Sequence, residues 1–182
     1  MKNLIFSLPI LLSAVLMTAF LPGSENTPGT PPEGEILWMD WESAMEANEK
    51  EPRKLMVDVY TDWCGWCKRM DAGAFSDPAV ADYVNKNFYA VKLDAEMKSS
   101  INWNGKEFKY IPDAGRRGIH TLAYSLLEGK MGYPTIVYLD EQVIRIFISP
   151  GYKESGALMK ELTFAAENHY KSSSWDDYSS GD

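Results

Sequence analysis

Cysteine and histidine are scarce in this chain: 182 residues hold two of each, Cys64 and Cys67, His120 and His169. A structural zinc site takes about four nitrogen or sulfur ligands. With no second C-x-x-C and no H-x-x-x-H, a metal reading of the cysteines lacks its partners. No cysteine precedes position 64, which removes lipidation on cysteine near the start. Positive charge is also in deficit, with 18 Lys and Arg against 26 Asp and Glu and a net charge of −8. Phosphate-backbone binding needs a basic patch, and none stands out, so nucleic acid is not an expected partner.

Long apolar runs are missing as well, except at the start. Met1, Lys2 and Asn3 form a short positive leader, and Leu4 to Leu21 is mostly apolar although Ser7, Pro9, Ser13 and Thr18 interrupt it. Residues 1–22 read as a secretory signal peptide, which implies an exported protein, periplasmic or extracellular. The run approaches the length of a membrane span, so an uncleaved N-terminal anchor stays open, and with it a membrane association. Residues 23–35 are rich in proline and glycine without periodicity, as in a flexible linker. At the other end, residues 170–182 are polar and patternless and are expected to be a disordered tail. The folded part is therefore expected over residues 36–169, enough for one domain with a sizeable core.

Within it, helices alternate with strands. Asp40 can cap a helix running to about Lys50, with Trp41, Ala44 and Met45 on one face and Pro52 ending it. "KLMVDVYT" is a short apolar, β-branched run, as in a strand buried on both faces. Asp77-Pro78 starts a helix, cap first and proline next, whose apolar side is Val80, Ala81, Tyr83 and Val84. "FYAVKLD" is a second buried strand. Ile119, Leu122, Ala123, Leu126 and Leu127 recur at helical spacing. "PTIVYLD" and "QVIRIFIS" flank a tight Asp140-Glu141 connection, and Leu158, Leu162 and Ala165 mark a last helix. This order implies an α/β fold, a central mixed sheet with helices on both faces.

The cysteines lie in "YTDWCGWCKRMD", each preceded by a tryptophan, where the first strand gives way to a helix. Cys64 then sits at a helix N-terminus, where unpaired N–H groups and the helix dipole favour an anion such as a thiolate. The pair can also close into a disulfide if the α-carbons come within about 5–6 Å. As a staple such a bond is poor, because a four-residue loop gains only about 2 kcal/mol of chain entropy against about 4.7 for a hundred-residue loop. Redox chemistry is the favoured reading, ahead of a bare staple or a metal clip. His120 and His169 read as ordinary surface or packing residues.

"VDVYTDWCGWCK" resembles the active-site strand and helix of the thioredoxin superfamily, whose usual form is W-C-G-P-C-K after a V-D-hydrophobic run. "GKMGYPTIVYLDE" is similar to the segment that opens that family's later core strand, and "ISPGYKES" to its closing strand and final helix. The first helix and "TDWCGWCK" resemble those of secreted thioredoxin-like proteins akin to the thiol-reducing C-terminal domain of the bacterial transmembrane thiol reductase. The resemblance implies a thioredoxin fold with an N-terminal helix extension and an insertion, residues 95–118, before the helix that leads to a cis-proline strand.

It also implies roles. Cys64 matches the nucleophile and Cys67 the buried resolving thiol, so the disulfide itself is the redox group and no bound cofactor is expected. Asp58 matches the family's buried carboxylate and Lys92 the lysine that pairs with it. Independently, Met56, Asp58 and Tyr60 share one strand face by alternation, so a charge falls where a central strand wants an apolar group. That carboxylate is expected to be paired or raised in pKa, unless its strand is an edge in water. Tyr133-Pro134 is expected to be cis and close to Cys64, and Trp63, Trp66, Tyr133 and Pro134 to line the substrate site. Trp66 stands where thioredoxin has proline and strongly oxidising members favour histidine, which tilts the reading toward a reductant or isomerase. The partners implied are protein disulfide substrates and a protein electron donor or acceptor. The rival reading is a non-catalytic polypeptide-binding module of the same fold.

In the insertion, Ile101 and Trp103 precede Asn104-Gly105, and Phe108 and Tyr110 follow it. That pattern is a hairpin signal. It can cover core surface, add a recognition role at the rim of the site, or do both. "AGRRG" offers a local positive patch beside it.

Overall fold

A computed structural model describes residues 34–181. The leader at 1–22 and almost all of the 23–35 linker lie outside the described residues. Among those described, no helix is long and apolar enough to cross a membrane.

The described chain begins with β1 (Trp38–Met39), then α1 (Trp41–Lys50), β2 (Lys54–Tyr60), α2 (Gly65–Ala72), α3 (Pro78–Asn87) and β3 (Phe88–Asp94). The region read as an insertion holds β4 (Ile101–Trp103), β5 (Lys106–Phe108) and β6 (Tyr110–Ile111), with β7 (Ile119–His120) just past its end. The remainder is α4 (Thr121–Leu126), β8 (Thr135–Leu139), β9 (Arg145–Pro150), α5 (Ser155–Ala166) and α6 (Trp175–Ser180). Five strands form the main sheet in the order β1-β3-β2-β8-β9. β1, β3 and β2 run parallel, while β8 is antiparallel to β2 and β9 to β8. β2 is thus central, which explains why it reads as apolar on both faces apart from Lys54 and Asp58: both of its faces are covered.

Alternation along the strands sorts the core into two layers. Leu55, Val57 and Val59 of β2, with Val137 and Leu139 of β8, face Trp41 and Ala44 of α1 and Leu122 of α4. Met56 of β2, with Ile136 and Tyr138 of β8, faces Val80 and Val84 of α3 and Leu158 and Leu162 of α5. Asp58, in step with Met56, therefore points into the second layer. The helix starts are capped as their sequences require. Asp40 accepts the Ser43 N–H at 2.7 Å and Asp77 the Ala79 N–H at 2.9 Å, contacts typically worth about 1 kcal/mol each.

The 95–118 segment does cover core. Asn104 and Gly105 both take positive φ, at 51° and 72°, as a two-residue hairpin turn demands. The hairpin buries Ile101 and Phe108 in the first layer, and Trp103 meets Trp41 edge-on at 5.2 Å. The hairpin ends at Phe108; Tyr110 belongs instead to β6 and pairs with His120. Ile119, read as helical, lies in β7 ahead of the helix.

The tail corrects the sequence reading. Residues 170–181 were expected to be disordered, yet α6 packs there, with the Trp175 ring stacked on Phe147 at 5.4 Å and edge-on to Phe164 at 5.3 Å. Ser174 and Asp177 form a reciprocal cap: Ser174 Oγ donates to the Asp177 carboxylate and accepts the Asp177 N–H. Apolar stacking and that cap outweigh the polar composition.

Candidate redox site

β2 ends at Tyr60, and the chain turns sharply, the Cys64 N–H donating to the Thr61 carbonyl at 3.1 Å. Cys64 is the cap residue of α2, in extended conformation, and its Sγ accepts the Cys67 N–H at 3.1 Å. A sulfur held there sits against the open N–H groups of the first turn, the setting that stabilises a thiolate when the bond is reduced. The two sulfurs are joined in a disulfide, with α-carbons 5.3 Å apart. Both cysteines are nearly closed off, at 4% and 2% exposure, whereas Trp63 and Trp66 beside them are 52% and 56% exposed. Cys67 shares a helix side with buried Met70, three residues on, which packs into the second core layer.

Asp58 lies in that layer at 1% exposure. Its Oδ2 accepts from Lys92 Nζ at 2.7 Å, and its Oδ1 has no hydrogen-bond partner. Lys92 is its register neighbour on β3, so the edge-strand alternative does not apply. Burial pushes the Asp58 carboxyl up from the usual aspartate range; Lys92 pulls it back and the nearby Asp71 adds to the rise. For Lys92 burial works against the charged form, but Asp58 and Asp71 outweigh it and hold its pKa up. Lys92 also donates to Asp71 of α2. Around its ammonium lie the rings of Trp38, Tyr60 and Phe75, at 4.7, 5.1 and 5.1 Å. A cleft lined by Trp38, Asp71, Phe75 and Lys92 opens this group to solvent.

Tyr133-Pro134 is cis. The Pro134 carbonyl accepts from the Gly151 N–H at 2.8 Å, which ties the loop before β8 to the end of β9. The Tyr133 ring meets Trp63 edge-on at 5.9 Å, so the proline loop stands against the residue preceding Cys64. Burial, then Glu96 and Asp94, pushes the Tyr133 phenol up to about 12, so it is a neutral group at any working pH. Of the four residues expected to line a substrate site, Trp63 and Tyr133 are in contact, Pro134 follows Tyr133 in the same loop, and Trp66 lies instead against Tyr152 at 5.4 Å. His120 is buried, and its Nδ1 accepts the Leu122 N–H at the start of α4. It is a packing and capping residue.

Three neighbours of this site, Asp71, Glu96 and Arg69, escaped the sequence reading, and a fourth, Arg117, was named there only as part of the positive patch in "AGRRG". Asp71 was within reach of a pattern argument, because it lies seven residues after Cys64, two helical turns along the same face. Glu96 accepts from Trp63 Nε1 at 3.0 Å and the Arg117 guanidinium lies over the Trp63 ring at 5.5 Å. Both come from the insertion, where nothing local announces the contact. Arg69 lies over Trp66 at 5.3 Å and over Tyr152 at 5.6 Å.

A cysteine pair capping the helix that follows the central strand of such a sheet defines a thioredoxin-fold protein. Residues 32–166 match the family Thioredox_DsbH, described as protein of unknown function, DUF255, and the chain belongs to that family. Over 112 residues, 62% of the chain, it is 30% identical to the thiol:disulfide interchange protein DsbD of Pectobacterium atrosepticum. Over 91 residues it is 28% identical to DsbD of Pseudoalteromonas atlantica. The matched part spans only 15% and 14% of those relatives. Among solved structures, a DsbH oxidoreductase superposes with a TM-score of 0.52 at 15% identity, covering 79% of this chain and 94% of that one. A thioredoxin from Thermus thermophilus gives 0.51 at 19% identity, covering 71% and 85%. These structures share the fold.

Proposed function

We propose that this protein is an exported thiol-disulfide oxidoreductase that reduces or isomerises protein disulfides. The observation that carries the reading is the Cys64 sulfur capping α2 while bonded to Cys67. In the reduced protein Cys64 thiolate attacks a substrate disulfide, breaking its S–S bond and releasing one substrate thiolate, which takes a proton from solvent. Cys67 then loses its proton to Asp58 and attacks the Cys64 sulfur. That step expels the second substrate sulfur as a thiolate, which is protonated from solvent as Asp58 gives up its proton there, and closes Cys64–Cys67, so two electrons have passed to substrate. Lys92 holds Asp58 in place and balances its charge. Trp63, Trp66, Tyr133 and Pro134 form the face that receives the substrate backbone. Electrons return from a partner protein, and the cysteine pair is the redox group, with no bound cofactor invoked. Trp66 supports the reducing or isomerising direction, since an indole offers one N–H donor and cannot hold a thiolate as a protonated imidazole does.

Insulin reduction tests the chemistry. The intact protein is expected to be active and Cys64→Ser inactive; no reduction by the intact protein would favour the binding-module alternative. A reduction potential near about −270 mV fits the reducing direction, and one near about −120 mV would reverse it. Export rests on the leader, and N-terminal sequencing of the mature protein with cell fractionation tests it and separates cleavage from anchoring.

A further inference from the structure

The two tryptophans that flank the redox pair each carry an arginine, and the two arginines come from different parts of the chain. Arg117 belongs to the insertion, Arg69 to α2 itself. Among the described residues neither guanidinium donates a hydrogen bond or pairs with a carboxylate, and both arginines are exposed, each with its guanidinium carbon within 5.5 Å of the centre of an exposed tryptophan ring. A cation held over a ring in this way is positioned without using its hydrogen-bond donors. Acidic groups stand nearby on the Trp63 side, Asp62 and Glu96, but Glu96 is already engaged by the Trp63 indole.

We propose that Arg117 over Trp63 and Arg69 over Trp66 make this face a receiver for an extended polypeptide whose disulfide cysteine is flanked by acidic residues. The proposal rests on the oxidoreductase reading above and specifies its substrate. A protein of net charge −8 repels acidic chains at long range. Selectivity for them must therefore come from local pairing, where a planar guanidinium can take a carboxylate in two parallel bonds. The insertion then has two jobs: its hairpin closes the core, and its Arg117 loop borders the site.

The test uses the full protein, reduced in situ by dithiothreitol, with three disulfide-linked peptides of one length. Their cysteines are flanked by Glu, by Gln or by Lys, and neutral 2,2′-dithiodipyridine serves as a small disulfide. An exposed ion pair changes binding by about threefold. The Glu peptide is therefore expected to exceed the Lys peptide in kcat/KM by about tenfold at low salt, the ratio shrinking by 0.5 M salt. In Arg69→Gln with Arg117→Gln the ratio falls to about one or below. Replacing residues 95–118 outright would be a poor test, since Ile101 and Phe108 are core residues. A wild-type Lys preference, or a Glu preference untouched by the double substitution, overturns the proposal while leaving the oxidoreductase reading intact. No turnover of any disulfide overturns that reading, and this proposal falls with it.

Discussion

Lys92 reaches across from β3 to place its ammonium 2.7 Å from the carboxylate of Asp58, the one acidic side chain on β2, the central strand. The contact joins a group at 1% side-chain exposure to one at 22%. Its loss is not symmetrical, because the carboxylate cannot find water and the ammonium can.

Replacing Lys92 by Met should therefore destabilise the protein most where Asp58 is ionised. The loss is expected at about 3 kcal/mol near pH 8, the low end of the range for a broken buried pair. It should shrink as the pH falls and Asp58 takes a proton, an easy step for a carboxyl that burial has already raised. Urea unfolding of both proteins at pH 8 and pH 5 measures it, and a pH-independent difference would mean the pair contributes only packing.

Asp58→Asn is expected to separate the two chemical steps. Forming the mixed disulfide needs only Cys64, whereas resolving it needs the proton of Cys67 to leave. The second step should slow by about a hundredfold at neutral pH, within the usual range for a positioned base. Quenched-flow trapping should then show the mixed species accumulating. An unchanged second step removes Asp58 from the chemistry.

The two thiols of the reduced protein should differ in alkylation. Exposure does not order them, at 4% and 2%, so the order rests on Cys64 being the cap of α2. Iodoacetamide at pH 7 should modify Cys64 first, as peptide mapping after brief exposure would show. Equal labelling would count against the assigned order of attack.

His120 should leave a mark on acid stability. Burial lowers its pKa from the ordinary value, so the unfolded chain binds a proton at higher pH than the folded one. Its contribution is full above about pH 6.5 and declines as the pH falls below that, by at most about 1.4 kcal/mol per pH unit. Compared with His120→Asn, the wild-type protein should lose its relative advantage between about pH 6.5 and pH 5. Asp58 and Glu161, whose raised carboxyls act in the opposite sense, are common to both proteins and cancel in the comparison. Parallel stability curves would show that His120 binds its proton equally in the folded and unfolded states.

Much of this architecture was written in local signals. Asp40 and Asp77 announce helices because a short carboxylate before an apolar stripe satisfies orphan N–H groups. "KLMVDVY" and "FYAVKLD" read as interior strands because parallel strands covered on both faces need no polar alternation. Asp58 stood out for breaking that rule, and the superfamily resemblance named Lys92 as its partner. β1 was missed because a two-residue strand carries no period. α6 was missed because Ser and Asp dominate its composition, although Ser174 and Asp177 carry a capping pattern and Trp175 and Tyr178 share a helix side. Glu96 and Arg117 reach Trp63 from more than thirty residues away in sequence, and no local pattern encodes such an encounter.

The ring of Phe147 lies between Tyr138, at 4.5 Å, and Trp175, at 5.4 Å, so three aromatic planes run from a central strand through the edge strand to the last helix. β9 is the border of the main sheet, and a bare border strand with exposed rings is a template for pairing with another chain. A domain trimmed at residue 169, where the sequence places its limit, would lose Trp175 and open Phe147 and Phe164 to water. Such a shortened protein would self-associate, which makes the final turn of chain a guard against aggregation.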